Sequence, residues 1–103
     1  MIEKIVLDTR SALGKNLRSI VLYGSAARGD ANAESDVDIA LFVEDALCHE
    51  ERQKMIRCYS DLCMEFDMVF SPNDIEQRKF DRWVRVLPYY QNIQKEGITL
   101  WTA

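Results

Sequence analysis

The sequence has little that would cross-link it, anchor it in a bilayer or draw it to nucleic acid. Its 103 residues hold three cysteines, Cys48, Cys58 and Cys63, and one histidine, His49. An odd cysteine count in a chain without a secretory signal excludes a disulfide framework and predicts reduced thiols in a cytoplasmic protein. Their spacing fits no zinc pattern. No run approaches the ~20 apolar residues of a membrane span. Basic residues are outnumbered, 13 Lys and Arg against 17 Asp and Glu for a net charge of −4, so direct nucleic-acid binding is not expected. There is no internal repeat, linker or low-complexity segment. Residues 1–103 read as a single domain with a modest core and no room for a separate substrate domain.

What is present centres on Ile20 to Val43, IVLYGSAARGDANAESDVDIALFV. The apolar run Ile20-Val21-Leu22-Tyr23 predicts a strand, and Gly24-Ser25 after it a sharp turn with exposed N–H groups, an anion site. A second strand from Asp36 to Val43 carries Asp36 and Asp38. Side chains two apart on a strand share a face at a spacing of roughly 7 Å. Two carboxylates side by side repel each other in a packed sheet, and a divalent cation removes that objection. Val37, Ile39 and Leu41 fall on the opposite face, while Ala40 and Phe42 carry the carboxylate face into the core. A phosphate nest facing a metal-binding carboxylate pair is the equipment of phosphoryl or nucleotidyl transfer.

The flanking chain reads as scaffold. Ile2, Ile5, Val6, Thr9 and Leu13 make the buried stripe of a first helix over 2–13, closed by Gly14. The first strand, about Ser19 to Tyr23, is apolar enough to be central. Ser25 to Arg28 predicts a short helical turn with its amides toward the phosphates. Arg28 there either contacts a triphosphate or pairs locally with Asp30 or Glu34. The next helix begins near Glu44, Asp45 and His49 and runs to about Cys63, with Met55, Ile56, Tyr59, Leu62 and Cys63 buried and Glu50–Lys54 a surface pair. His49, in a polar stretch, is a surface residue. Residues 65–70 alternate as a strand, with Phe66, Met68 and Phe70 on one face and Glu65, Asp67 and Val69 on the other. Ser71-Pro72-Asn73-Asp74 predicts a helix start, with that helix lasting to Leu87. A last helix, Pro88 to Glu96, ends at Gly97 before a short terminal strand, Ile98 to Trp101. Phe80, Trp83, Tyr89, Tyr90 and Trp101 are half of the ten aromatics, a surplus near the C-terminus that suggests a protein interface.

Gly24-Ser25, a ten-residue gap, Asp36-Val37-Asp38 and a later carboxylate, Asp67, resemble the signature of the DNA-polymerase-beta-like nucleotidyltransferase superfamily. Length, motif position and the ending KEGITLW make the whole chain similar to its minimal nucleotidyltransferase (MNT) branch, often paired with HEPN ribonucleases in toxin–antitoxin modules. The resemblance implies an α/β (α+β) fold with a small mixed sheet flanked by helices. It also implies ATP bound with Mg²⁺ or Mn²⁺, phosphates held by Gly24 and Ser25 with Arg28 near them, and the metal held by Asp36, Asp38 and Asp67. Asp67 would draw the proton from an acceptor hydroxyl, with Glu65 as the fallback. The acceptor it implies is a tyrosine hydroxyl on a HEPN toxin, silenced by adenylylation (AMPylation). Two alternatives stay open: a binding-only antitoxin that occludes its toxin, and transfer to a small molecule in the manner of aminoglycoside nucleotidyltransferases. Either a homo- or a hetero-oligomer is compatible with the sequence.

Overall fold

A computed structural model describes residues 1–24 and 36–103. In chain order the elements are α1 (Ile2–Leu13), a 3-10 turn (Gly14–Asn16), β1 (Leu17–Tyr23), β2 (Val37–Val43), α2 (His49–Phe66), β3 (Phe70–Glu76), α3 (Gln77–Trp83), α4 (Pro88–Glu96) and β4 (Ile98–Thr102). The four strands form one mixed sheet in the order β3-β2-β1-β4. β1 is antiparallel to both β2 and β4, and β2 runs parallel to β3. A parallel pair needs a crossover, and α2 is that crossover.

Period-two alternation in the central strands divides the interior between two faces. Ile20 of β1 and Val37, Ile39, Leu41 and Val43 of β2 join Ile5 and Leu13 of α1 and Met55, Tyr59 and Leu62 of α2 in one core. Val21 and Tyr23, with Ala40, Phe42 and Ile75, pack beneath Phe80 of α3 and Ile93 of α4 in the other. Helices therefore cover both faces, and both central strands read as mostly apolar because each is buried on two sides.

Local chemistry sets the helix ends. Gly14 closes α1 in the left-handed region, φ 57°, where the absence of a Cβ removes the steric cost. Thr9 is fully buried yet satisfied: its hydroxyl donates to the Ile5 carbonyl at 2.7 Å and meets the Tyr59 hydroxyl at 2.8 Å, tying α1 to α2. α2 starts at His49, later than Glu44, because Cys48 and Glu51 form a capping box. The predicted Glu50–Lys54 pair is present at 3.4 Å, and no described cysteine is in a disulfide. Among the described residues no helix is long and apolar enough to cross a membrane.

Two expectations are corrected. The strand predicted over 65–70 is the end of α2, which continues to Phe66, and β3 begins only at Phe70. Phe66 and Phe70 are four apart, so they satisfy a helical stripe with Met55, Tyr59 and Leu62 as well as they satisfy alternation. Helical propagation wins because Phe66 packs on the core beneath α2. The helix start predicted at Ser71-Pro72-Asn73-Asp74 is instead β3 itself. β3 is one of the two outer strands of the described sheet, where a proline without an N–H is tolerated. Asp74, rather than capping a helix, accepts both guanidinium N–H groups of Arg52 at 3.3 and 3.2 Å and fastens β3 to α2. The helix that follows is correspondingly shorter than expected, Gln77–Trp83.

Candidate active site

Asp38 lies directly opposite Tyr23 in the β1–β2 ladder, so both side chains emerge on the α3–α4 face. Asp36 immediately precedes β2, and Ser71 Oγ on β3 donates to its Oδ2 at 3.5 Å. The two carboxylates thus share the edge of one sheet face, as their spacing requires. Partial burial, and then the neighbouring charge of Asp36, push the Asp38 carboxyl above the usual carboxylate range. No ion pair among the described residues neutralises either one.

Gly24 ends β1 with φ 77°. A Cβ there would lie 2.5 Å from Asp38 Oδ2, so the glycine corner and the carboxylate are immediate neighbours. Of the three residues expected to bind the nucleotide, Gly24 is the one described; Ser25 and Arg28 lie outside the described residues.

Two carboxylates at a strand end, without an ion-pair partner among the described residues, suit Mg²⁺ or Mn²⁺, which retain waters and accept substrate phosphate oxygens for the remaining positions. The third carboxylate is not gathered with them. Asp67 is the exposed C-cap of α2, in the left-handed region at φ 51°, ψ 45°. Its backbone N–H donates to Cys63 O, the bond that closes the helix. Among the described residues no group of three His, Cys, Asp or Glu could hold a metal ion. Glu65, the fallback, is an exposed residue of α2. In the β2–β3 register Ser71 stands beside Asp38 and Asn73 beside Ala40, so a neutral hydroxyl occupies the β3 position next to Asp38.

The structure also adds a network that sequence reasoning missed. Asn73 Nδ2 donates to Tyr23 Oη at 2.9 Å, and Tyr23 Oη meets Tyr89 Oη at 2.8 Å. Tyr89 belongs to α4, and its phenol is pushed up by burial first, then by the Tyr23 bond, with Asp38 among the charges acting on it. The available signal was Tyr23 itself, a polar-tipped residue at the last position of a strand that runs into the glycine corner.

Comparison with known proteins places the chain. The family model described as "Polymerase beta, Nucleotidyltransferase" matches residues 7–101. The chain belongs to this family and is a nucleotidyltransferase. A curated relative from Methanocaldococcus jannaschii, "Putative protein adenylyltransferase MJ0141", is 35% identical over 72 residues, which cover 70% of this chain and 73% of the relative. Two solved structures share the fold. A toxin–antitoxin complex with AMP-PNP superposes with a TM-score of 0.66 at 22% identity, over 100% of this chain and 75% of that one. A tri-AMPylated Shewanella oneidensis HEPN toxin in complex with an MNT antitoxin gives a TM-score of 0.63 at 22% identity, over 99% and 70%.

Proposed function

We propose that this chain transfers a nucleoside monophosphate, most readily AMP from ATP, to a hydroxyl of a partner protein, a HEPN ribonuclease toxin, and so acts as its antitoxin. The observation that carries the proposal is the Asp36–Asp38 pair, without an ion-pair partner among the described residues and with Asp38 packed against the Gly24 corner. Asp36 and Asp38 hold Mg²⁺, or Mn²⁺ in its place. Gly24 and Ser25 present backbone N–H groups to the β- and γ-phosphates, and Arg28 adds positive charge beside them. When bound, the ion neutralises charge on the phosphates and the departing pyrophosphate. The acceptor hydroxyl attacks the α-phosphorus in line and releases its proton to water, a new P–O bond forms, and the bond to pyrophosphate breaks, pyrophosphate leaving with the pair of electrons.

Two features support a protein acceptor. The net charge of −4 disfavours a nucleic-acid acceptor. In addition, the α3–α4 corner beside the site exposes Trp83, Val86 and Leu87, between 41% and 62% of each, an apolar surface suited to a partner. The relatives agree in kind, one named as a protein adenylyltransferase and another solved with an AMPylated HEPN toxin. On this reading residues 1–103 work as one domain in the cytoplasm, in a hetero-oligomer with the toxin.

The test is to incubate the chain with HEPN ribonucleases of its source genome, ATP and Mg²⁺, and to weigh every protein by intact mass. A gain of one or more adenylyl groups on a ribonuclease, with loss of its RNase activity, is expected. No nucleotidyl gain on any protein with any of the four triphosphates would overturn the proposal.

A further inference from the structure

Phosphate and metal binding leave one conspicuous neighbour of the carboxylates without a task. Tyr89 is the second residue of α4, directly after Pro88, which fixes the backbone where the helix begins. Its hydroxyl is bound to Tyr23 Oη, itself held by Asn73. Its ring meets Tyr23 edge-on, centroids 5.9 Å apart at 71°, and leans on Tyr90 at 5.7 Å. Tyr23 is buried and sits opposite Asp38. The Tyr89 ring is thus fixed at its tip and flank beside the metal-binding pair, yet remains 45% exposed.

An exposed aromatic with its polar tip already committed has only its π-face to offer a ligand. It is too apolar to serve a phosphate, and its hydroxyl is engaged with Tyr23. The base of a nucleotide has the complementary shape and chemistry. We propose that the Tyr89 ring is the stacking platform for the nucleobase of the triphosphate whose phosphates lie between Gly24 and the Asp36–Asp38 pair. This inference rests on the nucleotide reading of that site and adds its specificity: a ring that offers its face, with its hydroxyl bound to Tyr23, favours large purines over pyrimidines and does not separate adenine from guanine.

The experiment measures dissociation constants for ATP, GTP, CTP and inorganic tripolyphosphate, each with Mg²⁺, by titration calorimetry. The proteins are the wild type, Tyr89→Phe, Tyr89→Leu and Tyr89→Ala, each checked for cooperative thermal unfolding. Tyr89→Ala and Tyr89→Leu are expected to weaken ATP and GTP about tenfold, within the range for base–aromatic stacking. They should weaken CTP less and leave tripolyphosphate unchanged, while Tyr89→Phe keeps most purine affinity. Tyr89→Leu retains apolar bulk without a π-face, so it reports even if the alanine variant does not fold. Unchanged ATP affinity in the folded variants, or an equal loss for tripolyphosphate, overturns the stacking role while leaving the nucleotide site standing. A wild type that binds neither ATP nor tripolyphosphate overturns the site and this inference together.

Discussion

Gly24 and Asp38 are packed so closely that a single methyl group on the glycine would meet the carboxylate, 2.5 Å from Oδ2. The backbone there has φ 77°, a conformation that costs an L-residue about 1–2 kcal/mol. Asp38 can swing its carboxylate aside, so the clash is relieved at the expense of the site. Gly24→Ala is therefore expected to lower stability by only about 1–2 kcal/mol in urea denaturation while abolishing Mg²⁺-dependent ATP binding. Retained ATP affinity would show that the corner and the carboxylate are not coupled.

Asp38 titrates upward from the ordinary 3.8, through burial and then through Asp36. A raised folded-state value means that the fold binds this proton more tightly than the unfolded chain does. The contribution to stability is thus greatest at low pH and is lost as pH rises through 3.8 and the folded value above it. Asp38→Asn is expected to stabilise the metal-free protein at pH 7 by about 1 kcal/mol, the order seen when functional strain is removed. Urea midpoints of the two proteins should converge at acid pH; a less stable variant at pH 7 would contradict the repulsion described here.

Glu51 has the opposite sign. Its carboxylate accepts from the Cys48 backbone N–H at 3.1 Å and from Asn16 Nδ2 at 3.2 Å. The backbone bond is the largest cause of a pKa held below the ordinary 4.5. Its stability contribution is present above 4.5 and is lost as pH falls through the lowered folded value. Glu51→Ala should cost about 1 kcal/mol at pH 7, as for other cap deletions, with the difference shrinking in acid. Thermal unfolding at the two pH values measures it.

Asp67 caps α2 in a left-handed conformation that glycine adopts more readily. Asp67→Gly is expected to leave thermal stability unchanged or slightly higher and Mg²⁺–ATP affinity intact. If nucleotidyl transfer is lost from a variant that still binds ATP, Asp67 reaches the acceptor hydroxyl during the reaction, contrary to its position at the helix end.

Where one physical signal acts alone, the sequence is easily read. The continuous apolar runs of β1 and β2 gave a two-sided core, and the period of two put Asp36 and Asp38 on one face opposite Val37, Ile39 and Leu41. α1 and its Gly14 stop lie where the helical stripe puts them, and the nucleotidyltransferase family follows from the glycine–carboxylate spacing. The middle of the chain misled because two signals overlap. Phe66 and Phe70 fit helix and strand alike, and Ser71-Pro72-Asn73-Asp74 has the chemistry of a helix cap but lies on an edge strand where Pro72 is harmless. The Asn73–Tyr23–Tyr89 network was not legible because it depends on the register that sets Tyr23 opposite Asp38 and on how α4 docks over that face, neither of which local patterns encode.

The most direct test of the site is the thermal shift of the purified chain on adding ATP with Mg²⁺, compared with ATP alone and with the Asp36→Asn, Asp38→Asn double variant. At a ligand concentration of about 100 Kd, binding adds roughly 2.7 kcal/mol of stability, about 10 °C or more for a domain of this size. The account predicts that shift in the wild type with metal, and none without metal or in the double variant. An equal shift without Mg²⁺, or in the double variant, would contradict it.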